Sequence, residues 1–197
     1  MKTLDWQSFF AEQKELNDKT VFSVAELANA AHTGAHSLNT ELGRLVRRGV
    51  VKRYTHGLYG ASKGVKLEHL VPAIDSGAYI TGFYALSLNH FVTQVPVEIT
   101  CFTNRRHNRR SDQLEAAKLR FICVPASIYA KPARQLIAVG EQALCDFTWL
   151  SLREAIDPRS LVTFRNLGRL SRRRLKTILR RYPENVRGLV ERITTAV

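Results

Sequence analysis

The stretch VFSVAELANAAHTGAHSLNTELGRLVRRGVVKRYTHGLYGAS, residues 21–62, decides the fold of the N-terminal part of the chain. Ser23 and Glu26 stand three residues apart, as in a capping box, where each side chain satisfies a free backbone N–H of the first helical turn. The following His32-Thr33-Gly34 predicts a turn, with Gly34 supplying the positive φ that a tight helix–helix corner needs. The stretch therefore predicts a short helix, a turn and a second helix.

The second helix is expected to run from Ala35 to Arg48 and to end at Gly49, a usual residue just past a helix C-terminus. Its apolar residues fall at i, i+4, i+7 and i+8, on one buried stripe: Leu38, Leu42, Leu45 and Val46. The opposite face carries short polar side chains and two long donors: His36, Ser37, Thr40, Arg44 and Arg47. That composition suits a helix in the major groove of DNA, where base edges present hydrogen-bonding groups, with Thr40 and Arg44 as the base-contact candidates.

A basic hairpin follows this helix. Residues 50–54 alternate partly between apolar and basic side chains, and residues 58–59 return after the turn Thr55-His56-Gly57. The order of helix, turn, helix and hairpin predicts a winged helix-turn-helix, with Arg53 and His56 meeting phosphate or the minor groove. The alternative interpretation is a helical pair and hairpin used for protein contact.

The net charge points to polyanionic partners. The 197 residues include 30 Lys and Arg against 17 Asp and Glu, a formal net charge of +13. Residues 1–64 hold 9 of these bases and 6 of the acids, whereas residues 65–197 hold 21 and 11. A cationic surface attracts nucleic acid or anionic membranes. Most of the positive charge therefore lies outside the predicted DNA-binding domain, residues 1–62, and inside a second domain, residues 63–197.

Arginines in the second domain form two clusters that together make a candidate second basic patch: Arg105, Arg106, Arg109, Arg110, Arg172, Arg173 and Arg174. The segment from Arg165 to Arg181 holds eight bases and no acid, and Ser171 can cap its helix. One interpretation is a surface that contacts nucleic acid or an acidic partner. The other is a solvated basic face whose aliphatic stems pack on the core.

The second domain is expected to be a small mixed α+β unit with its helices gathered toward the C-terminus. Strands are predicted at residues 97–103, 119–124 and 136–140. Helices are predicted at residues 66–73 and 141–150, after the proline of Asp157-Pro158, in the arginine-rich segment and around residues 186–193. The predicted fold class is thus α+β throughout, led by the winged helix-turn-helix.

Motifs for catalysis or cofactors are missing from the sequence. It contains no phosphate loop, no dinucleotide-binding glycine pattern and no HExxH or CxxC. Glu141 and Asp146 lie five residues apart on one predicted helix, where a salt bridge or cap to nearby arginines is expected. His32 and His36 stand four apart without further ligands. We therefore expect no metal, no cofactor and no enzymatic activity.

The expected location is the cytoplasm, including the nucleoid of a bacterium. Cys101, Cys123 and Cys145 lie in apolar settings, which is typical of small buried thiols in a reducing compartment. The N-terminus has no long apolar core, and no apolar run approaches the roughly 20 residues of a membrane helix. No contact with a membrane is expected.

The chain resembles the AbiEi family of antitoxins, the regulators of bacterial type IV toxin-antitoxin systems. Four stretches carry the resemblance. The first ends the predicted winged helix, and the others follow in chain order: His56-Gly57-Leu58-Tyr59, Tyr79-Ile80-Thr81-Gly82-Phe83-Tyr84-Ala85-Leu86-Ser87-Leu88, Val97-Glu98-Ile99-Thr100, and Glu141-Gln142-Ala143-Leu144-Cys145-Asp146. The similarity spans most of the chain.

The resemblance implies a two-domain repressor whose winged helix binds inverted repeats in the promoter of its own operon. It also implies that the second domain opposes a nucleotidyltransferase-like toxin, with or without direct contact. On double-stranded DNA we expect a monomer or weak dimer that binds cooperatively. The short, arginine-rich C-terminal end departs from the family pattern, which leaves a stand-alone winged-helix regulator or nucleic-acid-binding protein without a toxin as the alternative.

Overall fold

The computed structural model describes residues 3–94, 96–106 and 118–195. Within those ranges the chain forms two compact units that divide between Ser76 and Gly77. The sequence places a domain boundary after residue 62. In the structure the first unit continues to Ser76 and includes the helix predicted at residues 66–73. No helix in the described ranges is both long enough and apolar enough to cross a membrane.

In its described residues the first unit contains four helices and three short strands. In chain order they are α1 (Thr3–Asn17), β1 (Val21–Ser23), α2 (Val24–Ala30), α3 (Ala35–Arg47), β2 (Val51–Thr55), β3 (Leu58–Ala61) and α4 (Leu67–Ile74). The strands form an antiparallel sheet in the order β1-β3-β2, in which Val21 pairs with Gly60. A Cβ atom on Gly60 would lie 2.2 Å from the carbonyl oxygen of Thr20. The sheet therefore closes only with glycine at this position.

Local signals in the sequence account for the helix ends. Ser23 and Glu26 form both hydrogen bonds of the predicted capping box. Gly49, with φ at +70°, follows the C-cap of α3 as expected. The helix–helix corner differs from the prediction: Gly34 is an extended N-cap with φ at −72°, and His32 takes the left-handed conformation with φ at +49°. The corner therefore bends two residues before the glycine.

Helix α1 closes the core of the first unit with aromatic side chains. Trp6 and Phe10 are buried and stack with centroids 5.9 Å apart, and Phe22 of β1 packs on Phe10. Asp5 lies in the first turn of α1, and Leu16 near its end is 72% exposed and lies outside this aromatic cluster. Trp6 and Phe10 lie on the same side of α1 because they are four residues apart, which is about one helical turn.

The second unit contains three strands and five helices in its described residues. In chain order they are β4 (Tyr79–Ile80), α5 (Gly82–Leu88), β5 (Glu98–Thr103), β6 (Lys118–Cys123), α6 (Gly140–Arg153), α7 (Pro158–Leu161), a 3-10 turn (Leu167–Arg169), α8 (Arg172–Leu179) and α9 (Glu184–Thr195). Strand β5 pairs antiparallel with β4 and parallel with β6. The strands predicted at residues 97–103 and 119–124 are thus confirmed. The strand predicted at residues 136–140 is wrong, because only an isolated bridge from Ile137 to Ile80 forms and Gly140 begins α6.

Helix α6 runs through the centre of the second unit. Ten of its residues are buried, from Gly140 to Ser151, and they pack against α5, β5 and the C-terminal helices. The amphipathic pattern predicted for α9 is confirmed by four buried residues: Val186, Leu189, Val190 and Ile193. Cys101 and Cys145 are buried as expected, whereas Cys123 is partly exposed. The observed class is mixed α+β, with the last helices gathered at the C-terminus.

Candidate nucleic-acid interface

Helix α3 presents a continuous polar face to solvent. Leu38, Leu42 and Leu45 are buried on its inner side. All five side chains predicted to contact DNA are exposed on the remainder of its surface: His36, Ser37, Thr40, Arg44 and Arg47. The segregation follows from the 3.6-residue period, which turns positions 38, 42 and 45 inward and positions 36, 40, 44 and 47 outward.

Two exposed residues of this face were not predicted from the sequence. Asn39 carries an amide that can donate to and accept from a base edge. Gly43 is exposed, and a Cβ atom there would have no heavy atom within 4 Å. A glycine inside a helix costs about 0.5–1 kcal/mol relative to alanine, and here no neighbour requires it. The sequence did contain a signal for both residues. Asn39 lies three residues after His36 and Gly43 four residues before Arg47, and these spacings place them on the same helix face.

The N-terminus of α3 is open. Gly34 at the N-cap has no side chain, so no side-chain oxygen accepts from the first backbone N–H groups of the helix. Such groups, together with the positive end of the helix dipole, favour an anion such as phosphate. The open N-terminus adjoins His36 and Ser37, so both ends of the exposed face carry donors, with Arg44 and Arg47 in the last turn.

Contacts on the inner side fix the orientation of α3. The buried Trp6 donates from Nε1 to Oε1 of Glu41 at 2.8 Å, which ties α1 to the middle of α3. On the exposed side, Arg47 Nε donates to the carbonyl oxygen of Gly43 at 3.3 Å, so the guanidinium lies back along this face. The face is therefore held by a packed core and does not depend on loop conformation.

The β2–β3 hairpin places two further candidate residues at the surface. Arg53 and His56 are both exposed, and Gly57 takes φ of +77° in the two-residue turn. The register shifts between Arg53 and Thr55, which marks a bulge at Tyr54. Tyr54 itself is buried and donates its hydroxyl to the carbonyl oxygen of Ala61 at 2.7 Å. This anchor holds the hairpin while its tip remains in solvent.

The second basic patch is only partly free for binding. Arg172 and Arg173 are exposed at the start of α8, but Arg174 pairs with Glu141 at 3.3 Å. Glu141 is 5% exposed and also accepts from the backbone N–H of Ser171 at 2.8 Å. The predicted cap or salt bridge of Glu141 to an arginine is thus confirmed, and Arg174 has a structural role.

The other cluster of the patch follows β5. Arg105 and Arg106 are exposed there, whereas Arg109 and Arg110 lie outside the described residues. The two clusters therefore begin on different elements, one after a central strand and one on a C-terminal helix.

Asp146 differs from the prediction of a salt bridge to arginine. It is completely buried and accepts hydrogen bonds from three hydroxyls: Tyr182 at 2.5 Å, Thr81 at 2.6 Å and Tyr79 at 3.2 Å. Burial raises its pKa to about 7, against the lowering effect of these donors. Burial beside Asp146 also raises the pKa of both tyrosines. The cluster links β4, α6 and the segment before α9. Among the described residues, no three His, Cys, Asp or Glu side chains form a group that could hold a metal.

Comparisons with known proteins place the fold. No protein-family model matches the chain, and no curated protein matches it. Among solved structures, the crystal structure of the RV2827C protein from Mycobacterium tuberculosis is similar, with a TM-score of 0.60 and 16% sequence identity. The alignment covers 97% of this chain and 76% of that protein. At this identity the likeness shows a shared α+β fold.

Proposed function

We propose that the protein is a DNA-binding transcriptional repressor whose first unit is a winged helix-turn-helix. Helix α3 is the recognition helix, which lies in the major groove, and the β2–β3 hairpin is the wing, which contacts phosphate or the minor groove. The observation that carries the proposal is the exposed face of α3, where every predicted contact residue lies in solvent while the leucines between them are buried.

Three further features support this assignment. Two helices joined by a short corner, followed by a hairpin that belongs to a three-stranded antiparallel sheet, are the elements that a winged helix requires. The free backbone N–H groups at the N-terminus of α3 can donate to a phosphate oxygen. The exposed glycine at position 43 allows close approach of another molecule to the backbone of the helix.

The second part of the proposal concerns the biological role. By its resemblance to the AbiEi family, the protein represses its own promoter and acts as the antitoxin to a nucleotidyltransferase-like toxin encoded beside it. The winged helix binds inverted repeats in that promoter. The antitoxin role is tested by coexpression: the protein protects cells from the neighbouring gene product, and failure to protect them would leave a stand-alone regulator.

A gel-shift titration tests DNA binding directly. The purified protein is titrated onto its own upstream region and onto random DNA of equal length, at 50 and 200 mM salt. Site-selective binding is expected, and affinity should fall by roughly 10³–10⁵ between the two salt concentrations if about 6–10 phosphates are contacted. Equal affinity for both DNAs would refute sequence-specific repression.

Substitutions then test which surface reads the sequence. Arg44→Ala is expected to cost about 1–3 kcal/mol on the specific site and to relax its preference, because a base contact is lost. Lys14→Ala is the matched control, since Lys14 is also an exposed cation of the first unit but lies on α1. Equal losses on specific and random DNA for Arg44→Ala would remove α3 as the reading helix.

A further inference from the structure

A groove opens in the second unit between α8, α9 and the 3-10 turn Leu167–Arg169. Its volume is about 740 Å³. Four leucines of the core line its base, each less than a tenth exposed: Leu167, Leu170, Leu175 and Leu179. Gly168 lies at its edge with open space where a Cβ atom would stand. The groove is therefore a concave site with an apolar base.

Cations line the sides of this groove. Arg172 and Lys176 of α8 and its C-cap residue Arg180 follow one another at i, i+4 and i+8, a row with about 6 Å between successive positions. Arg187 of α9 also lines the groove, which contains a single acid, Glu191. All four cations are exposed, and none forms an ion pair with another residue in the described part of the chain. Their charge is thus available to a partner.

We propose that this groove binds an acidic amphipathic helix of a partner protein. Carboxylates at i, i+4 and i+8 of such a helix repeat the spacing of the cations on α8. Apolar side chains on the adjacent stripe would meet the leucine base, which is the mode in which helices dock into hydrophobic grooves. The inference does not depend on DNA binding by the first unit.

The shape and lining favour a protein helix over nucleic acid. Two turns of helix occupy a cylinder about 11 Å long and 10 Å wide, with a volume of roughly 850 Å³, which is close to the volume of the groove, about 740 Å³. Phosphate contacts need cations but gain nothing from a leucine base, and nucleic-acid interfaces are polar and strongly charged throughout. The groove instead combines both kinds of lining, as a helix with one acidic and one apolar stripe requires.

The probe for this site is a synthetic, fluorescein-labelled helical peptide of about 15 residues with Glu at i, i+4 and i+8 and Leu on the adjacent stripe. Its binding to the full chain is followed by fluorescence anisotropy. Saturable binding is expected, with a large loss when the three Glu become Lys and a separate loss when the Leu stripe becomes Ser. A single-stranded DNA of equal charge serves as the competing ligand.

Charge reversal separates the groove from the general basicity of α8. Arg172→Glu is expected to weaken peptide binding roughly 10-fold, since an attraction becomes a repulsion. Arg173→Glu is the matched control, because it makes the same charge change in the same helical turn but does not line the groove. Its effect should stay below about 2-fold, as expected for a screened charge without direct contact. Both acids lie in the first turn of α8, where they are favourable for folding.

A steric pair completes the test without any change of charge. Gly168→Leu adds a bulky side chain at the edge of the groove and should weaken peptide binding by about 10-fold, because a leucine there occupies space that a peptide side chain of similar size would need. Gly188→Leu adds the same side chain on α9, also where nothing lies within 4 Å of the Cβ position, but outside the groove. Its binding should equal that of the parent.

Three results would overturn the proposal. The peptide could fail to bind the parent protein, or the groove variants and their controls could lose affinity equally. Alternatively, the single-stranded DNA could bind while the peptide does not, with Arg172→Glu and Gly168→Leu weakening the DNA, which would make the occupant nucleic acid.

Discussion

The buried carboxyl of Asp146 should make the stability of the second unit depend on pH in an unusual direction. Its side chain has no exposure to solvent, and burial raises its pKa to about 7. In the unfolded chain the group returns to an ordinary value near 3.9. The folded state therefore binds the proton more tightly than the unfolded state does.

The sign and size of the effect follow from proton linkage. The contribution of this carboxyl to stability is fully present below about pH 4 and is lost as the pH rises through 7. With these two pKa values, about 3–4 kcal/mol is lost between pH 4 and pH 8. The loss is limited because Tyr182, Thr81 and Tyr79 all donate to the ionised group.

The assay compares the parent with Asp146→Asn, whose amide is neutral at every pH. Its single oxygen can accept from Thr81 and Tyr79, while its NH2 group donates to the Tyr182 hydroxyl, which then acts as the acceptor. Urea unfolding is measured for both proteins at half-unit steps from pH 4 to pH 8. The free energy of unfolding of the variant minus that of the parent should rise with pH, by about 3 kcal/mol over the range. A difference that stays flat would refute the burial argument, and a difference that falls would show that the hydroxyl donors outweigh burial.

Three further outcomes are expected. Gly60→Ala should destabilise the first unit by several kcal/mol in urea unfolding, because its Cβ atom would meet the carbonyl oxygen of Thr20 at 2.2 Å, and an unchanged midpoint would contradict this contact. Glu141→Ala should cost about 2 kcal/mol of stability by leaving Arg174 and a backbone N–H unpaired, whereas Glu141→Gln should cost less; equal losses would show that packing alone matters. Gly43→Ala should raise the free energy of unfolding by about 0.5–1 kcal/mol while weakening specific DNA binding in the gel-shift assay, and an unchanged or higher affinity would show that the DNA does not approach the helix closely there.

Much of the first unit was predictable from local sequence, because local chemistry determines it. The capping box of Ser23 and Glu26, the leucine stripe of α3 and the stop at Gly49 each involve residues within a few positions of one another. The same holds in the second unit for the cap by Ser171. The assignment of α3 and the hairpin to DNA binding stays a prediction, since it concerns a partner.

The helix–helix corner shows where local reasoning stops. Gly34 was the residue best suited to a positive φ, yet His32 takes that conformation and Gly34 is extended. Histidine is among the non-glycine residues that are enriched at positive φ, so position 32 tolerates it. The glycine in the sequence therefore did not identify the residue that takes this conformation.

Three features of the second unit were decided only by its tertiary structure. Glu141 and Asp146 lie on the same helix and looked alike in sequence, but one meets Arg174 and the other meets Tyr182 and Thr81. The residues at 136–140 have strand-like composition, but only one of them finds a bridge partner. The groove of α8 and α9 combines side chains that were separate in the sequence.

The sequence by itself therefore determined the helices, their caps, their buried stripes and the excess of positive charge, because these depend on periodicity and on neighbours a few residues apart. Tertiary structure decided which charged side chains form ion pairs and which carboxyl group is buried. It also decided which glycine lies against another backbone segment and which faces open space. The physical reason is that desolvation, ion pairing and close contact depend on residues distant in the chain. Glu141 reaches Arg174 across 33 positions, and Tyr182 reaches Asp146 across 36.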